Sequence, residues 1–429
     1  MQIKKNTLNI LNWIKNDTNN LLVLNYTLVF YILSLTLTYR LDRAIIGIMI
    51  ILFLFNENLK KHLFSALKNK VVQAFLFFFA VVVLWSFESE NFELALYHIK
   101  SYRYFLYPVL FVAIIRKEFI NKFIYAFLIG MLINVVWSYL IFLDIASSPF
   151  MRVANTNLPL LVKSDHGFFV LVGLGYSLFR LLTFKDTKIL KLLFFIFFIL
   201  ESFNIFLTES KTSMLMYALM IFIVLAYVYR TKFLKISLLA TSLIVFVYFL
   251  AFNLTNSFEK QMQGIKHEIT LALEDHYFNT SVGTRIGFAL LGTEILKEHF
   301  LFGVGTADHI TSMRSKMEEY PQLIKNKSFN EMYRCLNEGG RWASLHNFYL
   351  NIFIQFGIIG LIVFFHIAYR IYTHKYKNQD YQFMAFLVCT LGIVFAASGW
   401  DFQFANFGRF FVVMISLFIA FEYSAATQN

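Results

Sequence analysis

The sequence predicts an all-α integral membrane protein with about twelve transmembrane helices and one large, partly helical loop between spans nine and ten. Three observations predict it. First, 58% of the 429 residues are apolar and the mean hydropathy is +0.61, where a soluble domain holds roughly 45–50% apolar residues. Second, the apolar residues arrive in blocks of about 17–25, the length that crosses a hydrocarbon core. Third, Lys and Arg collect in alternate connections between those blocks, the pattern that orients membrane proteins.

The spans are placed in order at about 21–39, 43–55, 71–87, 96–115, 120–143, 165–183, 189–207, 212–229, 233–253, 346–369, 381–397 and 405–424. Met1–Asn20 is polar and the first apolar run lacks a small-residue cleavage site, so that run is taken as a retained span. The second block is short and has to tilt or extend. One set of connections carries Lys4, Lys5 and Lys15, then Lys60, Lys61, Lys68 and Lys70, then Arg116, Lys117 and Lys122. It continues with Arg180, Lys185, Lys188 and Lys191, then Arg230, Lys232 and Lys235, then Arg370, Lys375 and Lys377. The other set is poorer in cations and includes the acidic stretch at 87–93 and the polar stretch at 146–165. Both termini are therefore placed in the cytoplasm and residues 254–345 outside it.

The chain divides into spans one to nine (1–253), an outer loop or cap (254–345) and spans ten to twelve (346–429). The loop contains EKQMQGIKHEITLALEDHYF and SMRSKMEEYPQLI, which have the pattern of amphipathic or surface helices. It is long enough to cover the bundle and too short to stand alone as a domain. No internal repeat is visible, which argues against an inverted-repeat transporter. The net charge of +12 is spread between apolar blocks. It marks topology beside anionic lipid and not a nucleic-acid surface. Cys335 and Cys389 fall at different levels of the membrane, so neither a disulfide framework nor a metal-ligand spacing is present.

The richest stretch is the run from His346 to Gly360. An imidazole with a pKa of about 6.5 exchanges protons near neutral pH, although a histidine at a helix end also serves as an interfacial anchor. Asn347, Asn351 and Gln355 recur every fourth residue and form a polar stripe, which must face protein or a wet cavity because facing lipid is costly. Gly357 and Gly360 are expected to permit close approach of a neighbouring helix.

His346, Asn347, Gly357 and Gly360 satisfy H-[N/S/Q]-x9-G-x-x-G after a large loop, and on these residues the chain resembles the O-antigen ligase family, which shares a region with O-antigen polymerases. The resemblance implies that the loop is periplasmic and that an arginine in a loop helix holds the donor pyrophosphate. Arg285 in SVGTRIGFALLGTEIL matches that position, and a guanidinium suits the task through its permanent charge and planar donor fork. HFLFGVGTADH resembles the family's H-P-x-x-G-x-G, where Gly303 and Gly305 suit a tight turn. Lys211 in LTESKTSML stands where related proteins carry arginine, and keeps a cation without the fork. Arg103, Arg152, Asp165, His166, Asp401 and Arg409 are further polar residues near outer helix ends, suited to lining a cavity or to pairing among themselves.

The resemblance implies a glycosyltransferase in a bacterial inner membrane. It would transfer a preassembled glycan from undecaprenyl pyrophosphate to a sugar of the lipid A core, in lipopolysaccharide biosynthesis. The catalytic residues would be His346 and Arg285; Lys211, Asn347, Arg103, Arg152, Asp401 and Arg409 would bind substrate. The partners are the lipid-linked donor, the lipid A-core acceptor and membrane lipid. No cofactor is implied, and no Asp-x-Asp motif or nucleotide-binding glycine loop stands out, which favours metal-free chemistry. An O-antigen polymerase or a protein O-oligosaccharyltransferase would use similar residues. A flippase would need a polar path through several spans, whereas the polar residues here gather at outer ends.

Overall fold

A computed structural model of the chain describes residues 16–38, 40–148, 160–161, 163–183, 186–208, 210–232, 256–337, 344–398 and 405–426, with isolated positions from 234 to 245 and Phe402. The described residues are helical and contain no strand. In chain order the helices are α1 (Asp17–Leu37), α2 (Asp42–Leu54), α3 (Glu57–Leu67), α4 (Lys70–Leu84), α5 (Phe92–Tyr102), α6 (Tyr107–Ile114), α7 (Ile120–Phe142), α8 (Lys163–Thr183), α9 (Lys188–Leu207) and α10 (Lys211–Val228). There follow α11 (Asn256–Leu273), α12 (Ser281–His299), α13 (His309–Glu318), α14 (Pro321–Lys325), α15 (Asn330–Asn337), α16 (Phe348–Thr373), α17 (Gln379–Ala397) and α18 (Ala405–Ala426).

Among the described residues, seven helices are long and apolar enough to cross a membrane: Asp17–Leu37, Lys70–Glu88, Lys117–Phe142, Asp165–Thr183, Lys188–Leu207, Phe348–Thr373 and Gln379–Ala397. Shorter apolar helices run over Thr212–Val228 and Asn406–Ala420. The sequence had placed twelve spans. The second of them, α2, has 13 residues, about 20 Å of rise. The fourth is broken into α5, a 3-10 turn over Arg103–Leu106, and α6, whose first turn holds Pro108. Proline lacks the N–H that would continue α5 into α6. The ninth, at 233–253, falls largely outside the described residues.

Asparagines start many of these helices. Asn16, Asn56, Asn69, Asn91, Asn347 and Asn378 each accept first-turn N–H groups with the side-chain oxygen, which satisfies donors that the helix itself cannot. On α9 a continuous apolar face, including Ile189, Leu192, Phe195 and Phe203, is exposed. Such a face suits contact with lipid tails, and water would penalise it.

The packing forms two apolar cores. The larger fills the bundle and is rich in ring contacts, among them Phe169 on Phe410 at 4.2 Å and Phe179 on Phe383 at 4.1 Å. The smaller lies within the cap, around Phe278, Phe288, Met313, Met317, Phe329 and Met332. Leu345 and Ile354 belong to this second core, so the start of α16 closes the cap.

Helix α16 is not a straight span. Gly357 has φ 62° and ψ −163° and separates two arms, 348–356 and 358–373. The Phe348 ring lies 5.1 Å from Phe364, and Tyr349 stacks on Phe365 at 5.2 Å. In a continuous helix sixteen residues rise about 24 Å, so these contacts require the arms to fold toward each other. The backbone groups freed at the break are taken up by the α12–α13 connection. Val304 N–H donates to Ile354 O at 2.8 Å, Gly305 N–H to Gln355 O at 3.0 Å, and Ile358 N–H to Phe300 O at 2.9 Å. The two backbones touch here. A Cβ on Gly357 would meet Leu301 O at 2.2 Å, and one on Gly303, with φ 73°, would meet Gln355 C and O at 2.5 Å. Close approach at Gly357 thus serves a loop backbone and a chain reversal, where a neighbouring helix had been expected.

Gly357→Ala and Gly303→Ala each force a side chain into a positive-φ site against backbone. Each is expected to cost more than ~3 kcal/mol or to prevent folding. Gly47→Ala in α2, where nothing lies within 4 Å of the added carbon, is expected to be neutral or stabilising by up to about 1 kcal/mol. Thermal unfolding in detergent checks this; equal melting temperatures for Gly357→Ala and wild type would remove the interlock.

Candidate functional site

His346 sits on a tight turn at the foot of the first arm of α16. Its φ is 54°, a left-handed conformation that a non-glycine residue adopts at a cost of about 1 kcal/mol. Two side chains hold the turn. Ser344 Oγ accepts the His346 N–H at 3.1 Å, and Asn351 Oδ1 accepts the Leu345 N–H at 3.2 Å. Asn347 Oδ1 accepts the Tyr349 and Leu350 N–H groups at 3.0 and 3.2 Å, so this residue works as the helix N-cap. The rest of the polar stripe faces protein. Gln355, fully buried, donates to Asn351 O at 3.0 Å and accepts the Ala307 N–H at 2.9 Å.

The cap brings other elements to the imidazole. His346 Nε2 lies 3.2 Å from Cys335 Sγ of α15. On the same helix Glu331 and Arg334 form an ion pair. Arg285, in the first turns of α12, is exposed and donates from Nη1 to Ser281 O at 2.6 Å and Ser281 Oγ at 3.1 Å. Burial pushes the His346 pKa below its ordinary value, and the charge of Arg285 lowers it further, with Glu331 acting the other way. Arg285 and His346, far apart in sequence, are therefore electrostatic neighbours. At neutral pH the imidazole is uncharged and able to accept a proton.

The N-terminus of α12 is itself capped: Thr280 Oγ1 accepts the Gly283 N–H at 2.9 Å and Glu268 of α11 accepts the Val282 N–H at 2.8 Å. The Arg285 charge is thus fixed at one end of a well-anchored helix, on the exposed side.

The remaining candidates fall elsewhere. Lys211 is the first residue of α10, behind the N-cap Ser210, and its side chain lies outside the described residues. Arg103 and Arg409 meet at one carboxylate, each 3.5 Å from Asp42 Oδ2, while Tyr31 donates to Asp42 Oδ1 at 2.6 Å. Two guanidiniums share one carboxylate, so this cluster keeps a surplus positive charge. Asp165 accepts the Asn406 and Phe407 N–H groups at 3.4 and 3.1 Å, which caps the start of α18 from a neighbouring helix. His166 Nε2 pairs with Asn204 Oδ1 at 2.6 Å in full burial. Arg152 and Asp401 lie outside the described residues. Phe402 packs between Phe348 at 5.1 Å and Phe407 at 4.7 Å, so one aromatic layer links the foot of α16 to the start of α18.

Reading the sequence missed Cys335, Glu331, Ser344 and Asp42. Glu331, Arg334 and Cys335 are spaced i, i+3, i+4 and so share one helix face, which was visible. What that face meets was not.

Residues 193–365 match the family model described as O-antigen ligase, which bears out the resemblance seen in the signature. The matched range includes Lys211, Arg285, His346, Asn347, Gly357 and Gly360 and leaves out Arg103, Arg152, Asp401 and Arg409. No curated protein matches the chain.

The turn separates the roles of two adjacent residues. Asn347→Ala is expected to lose about 1 kcal/mol of stability and Asn347→Ser to recover most of it. His346→Gly, which relieves the left-handed strain, is expected to be at least as stable as wild type. Chemical unfolding of the purified variants tests both; a large loss in His346→Gly would make the histidine a structural anchor.

Proposed function

We propose that this protein is an O-antigen ligase, a membrane-embedded glycosyltransferase that moves a preassembled glycan from undecaprenyl pyrophosphate to a sugar of the lipid A core. The observation that carries the reading is the convergence of His346 and Arg285. The signature histidine, uncharged at neutral pH, sits beside a permanent cation delivered by a separate helix. We place the cap in the periplasm, both termini in the cytoplasm and the chain in the inner membrane with twelve spans, on the charge alternation of the connections.

In this mechanism an acceptor hydroxyl attacks the anomeric carbon of the donor. The new C–O bond forms as the bond to the diphosphate oxygen breaks, and the electron pair leaves with the diphosphate. His346 takes the hydroxyl proton. Arg285 and Lys211 stabilise the negative charge on the departing diphosphate, which preorganised cations do at little reorganisation cost. Asn347 acts at one remove, by holding the turn that aims His346.

His346→Ala is expected to abolish transfer in a purified assay while leaving the melting temperature near wild type. Arg285→Ala should weaken donor binding and turnover together, Arg285→Lys should restore part, and Lys211→Arg should be tolerated. The base must be neutral, so the rate falls as pH drops through the His346 pKa. Arg285→Gln removes a charge that depresses that pKa, and the acid limb should move to higher pH. In a deletion strain, loss of capped core with retention of long lipid-linked chains supports a ligase, whereas accumulation of single repeat units would make the protein a polymerase.

Orientation has its own test. Glu274→Cys in the cap should react with an impermeant maleimide in outer-permeabilised cells, and Lys375→Cys should be protected until the inner membrane is opened. The reverse pattern inverts the topology.

A further inference from the structure

A polar cleft lies at the far end of α12 from Arg285. It has a volume of about 600 Å3 and opens between the turn after α4 and the α12–α13 connection. That volume is within the roughly 300–1,000 Å3 of small-molecule sites. The glycine loop Gly303–Gly305 contributes to its wall, so the interlock with α16 also shapes this cleft. Around it stand Trp85, Glu88, Glu90, His299, Asp308 and Ser312.

Asp308 is the informative side chain. It is 2% exposed. Its Oδ2 accepts the Glu90 N–H at 2.9 Å, while its Oδ1 is buried without a hydrogen-bond partner among the described residues. A buried carboxylate oxygen without a donor costs about 1–3 kcal/mol or more, and the backbone of Asn91, which favours the charged form beside that of Glu90, offsets part of it. Trp85 is fixed, because its Nε1 donates to Phe302 O. The wall therefore offers a held indole, three carboxylates, a hydroxyl and an imidazole, and neither lysine nor arginine.

This donor set selects its ligand. Carboxylates accept hydroxyl hydrogen bonds in pairs, and an indole combines an apolar face with a rigid position. Three acids without a guanidinium or ammonium repel phosphate. The cleft is opposite in character to the cationic surroundings of His346. From Arg285 to His299, α12 rises about 21 Å, a span of several sugar rings.

We propose that this cleft is a glycan subsite, which holds a neutral sugar ring of the donor or acceptor chain at a distance from the bond being made. The proposal rests on the glycosyltransferase reading and names a binding function that His346 and Arg285 do not supply. Its role is to grip a long substrate by a remote ring, so that binding energy away from the reacting centre positions that centre.

Binding is measured directly with the full chain purified in detergent. The two probes are the oligosaccharide released by mild acid from the lipid-linked donor and the core oligosaccharide released from lipopolysaccharide. Saturation-transfer NMR and calorimetry should show one of them bound by wild type and equally by His346→Ala. Affinity should fall about tenfold or more in Ser312→Phe, which fills the cleft from its rim, and in the double variant Glu88→Ala, Glu90→Ala. Binding of the donor oligosaccharide assigns the cleft to the donor, and binding of the core assigns it to the acceptor. Binding of neither, or binding indifferent to Ser312→Phe, overturns the subsite even where transfer activity persists. Cleft-dependent binding by a wild-type protein that transfers nothing would instead sink the proposed reaction and leave the subsite standing.

Discussion

The backbone exchange at Gly357 is the contact on which the cap side of the molecule depends. Three main-chain hydrogen bonds replace those that α16 gives up where it reverses. Backbone groups left unpaired in apolar surroundings would each cost several kcal/mol, so the reversal exists only because the α12–α13 connection arrives to satisfy it. With the reversal in place, Phe348 and Tyr349 fold onto Phe364 and Phe365, and Leu345 and Ile354 enter the cap's core. The turn that carries His346 is then presented to α15 and α12. A straight α16 would carry that histidine away from the ring contacts that now fix the arm.

Electrostatics divides the polar side of the chain into three regions. Around His346, the Glu331–Arg334 pair is internally balanced, which leaves Arg285 as the charge that dominates the imidazole's neighbourhood. At Asp42 two guanidiniums share one carboxylate, again with a surplus cation. The cleft at Trp85 is acidic. The substrate proposed above, with one diphosphate and many hydroxyls, would have matching segments for cationic and acidic surroundings, and a chain of sugars is long enough to reach both.

Much of this was legible in the residues, for reasons that differ by element. Helical class followed from block length and composition, because lipid permits few other backbones. The polar stripe was assigned to protein or a wet cavity on energetic grounds, and Gln355 and Asn351 bind backbone. Asn347 was read as a substrate contact, although Asn before an apolar run is also the ordinary start of a helix; five other asparagines in the chain do the same work. Gly357 was read as a packing glycine because a sequence shows that a side chain is missing and not whether φ is positive. The break of the fourth expected span was signalled by Pro108 beside Arg103. Pairings such as Arg285 with His346, or Arg409 with Asp42, join distant segments, and local periodicity carries no trace of them.

The shared ownership of the first arm of α16 has a consequence for biogenesis. Ribosomal synthesis delivers 256–337 before 344–356, so the cap emerges with its core open on the side that Leu345 and Ile354 later close. The α12–α13 connection likewise waits for the carbonyls of Ile354 and Gln355. The cap therefore cannot mature as an independent unit ahead of the membrane domain. Its final ordering is gated by arrival of the next span, and the residues of the site come together only in a chain whose insertion has reached that point.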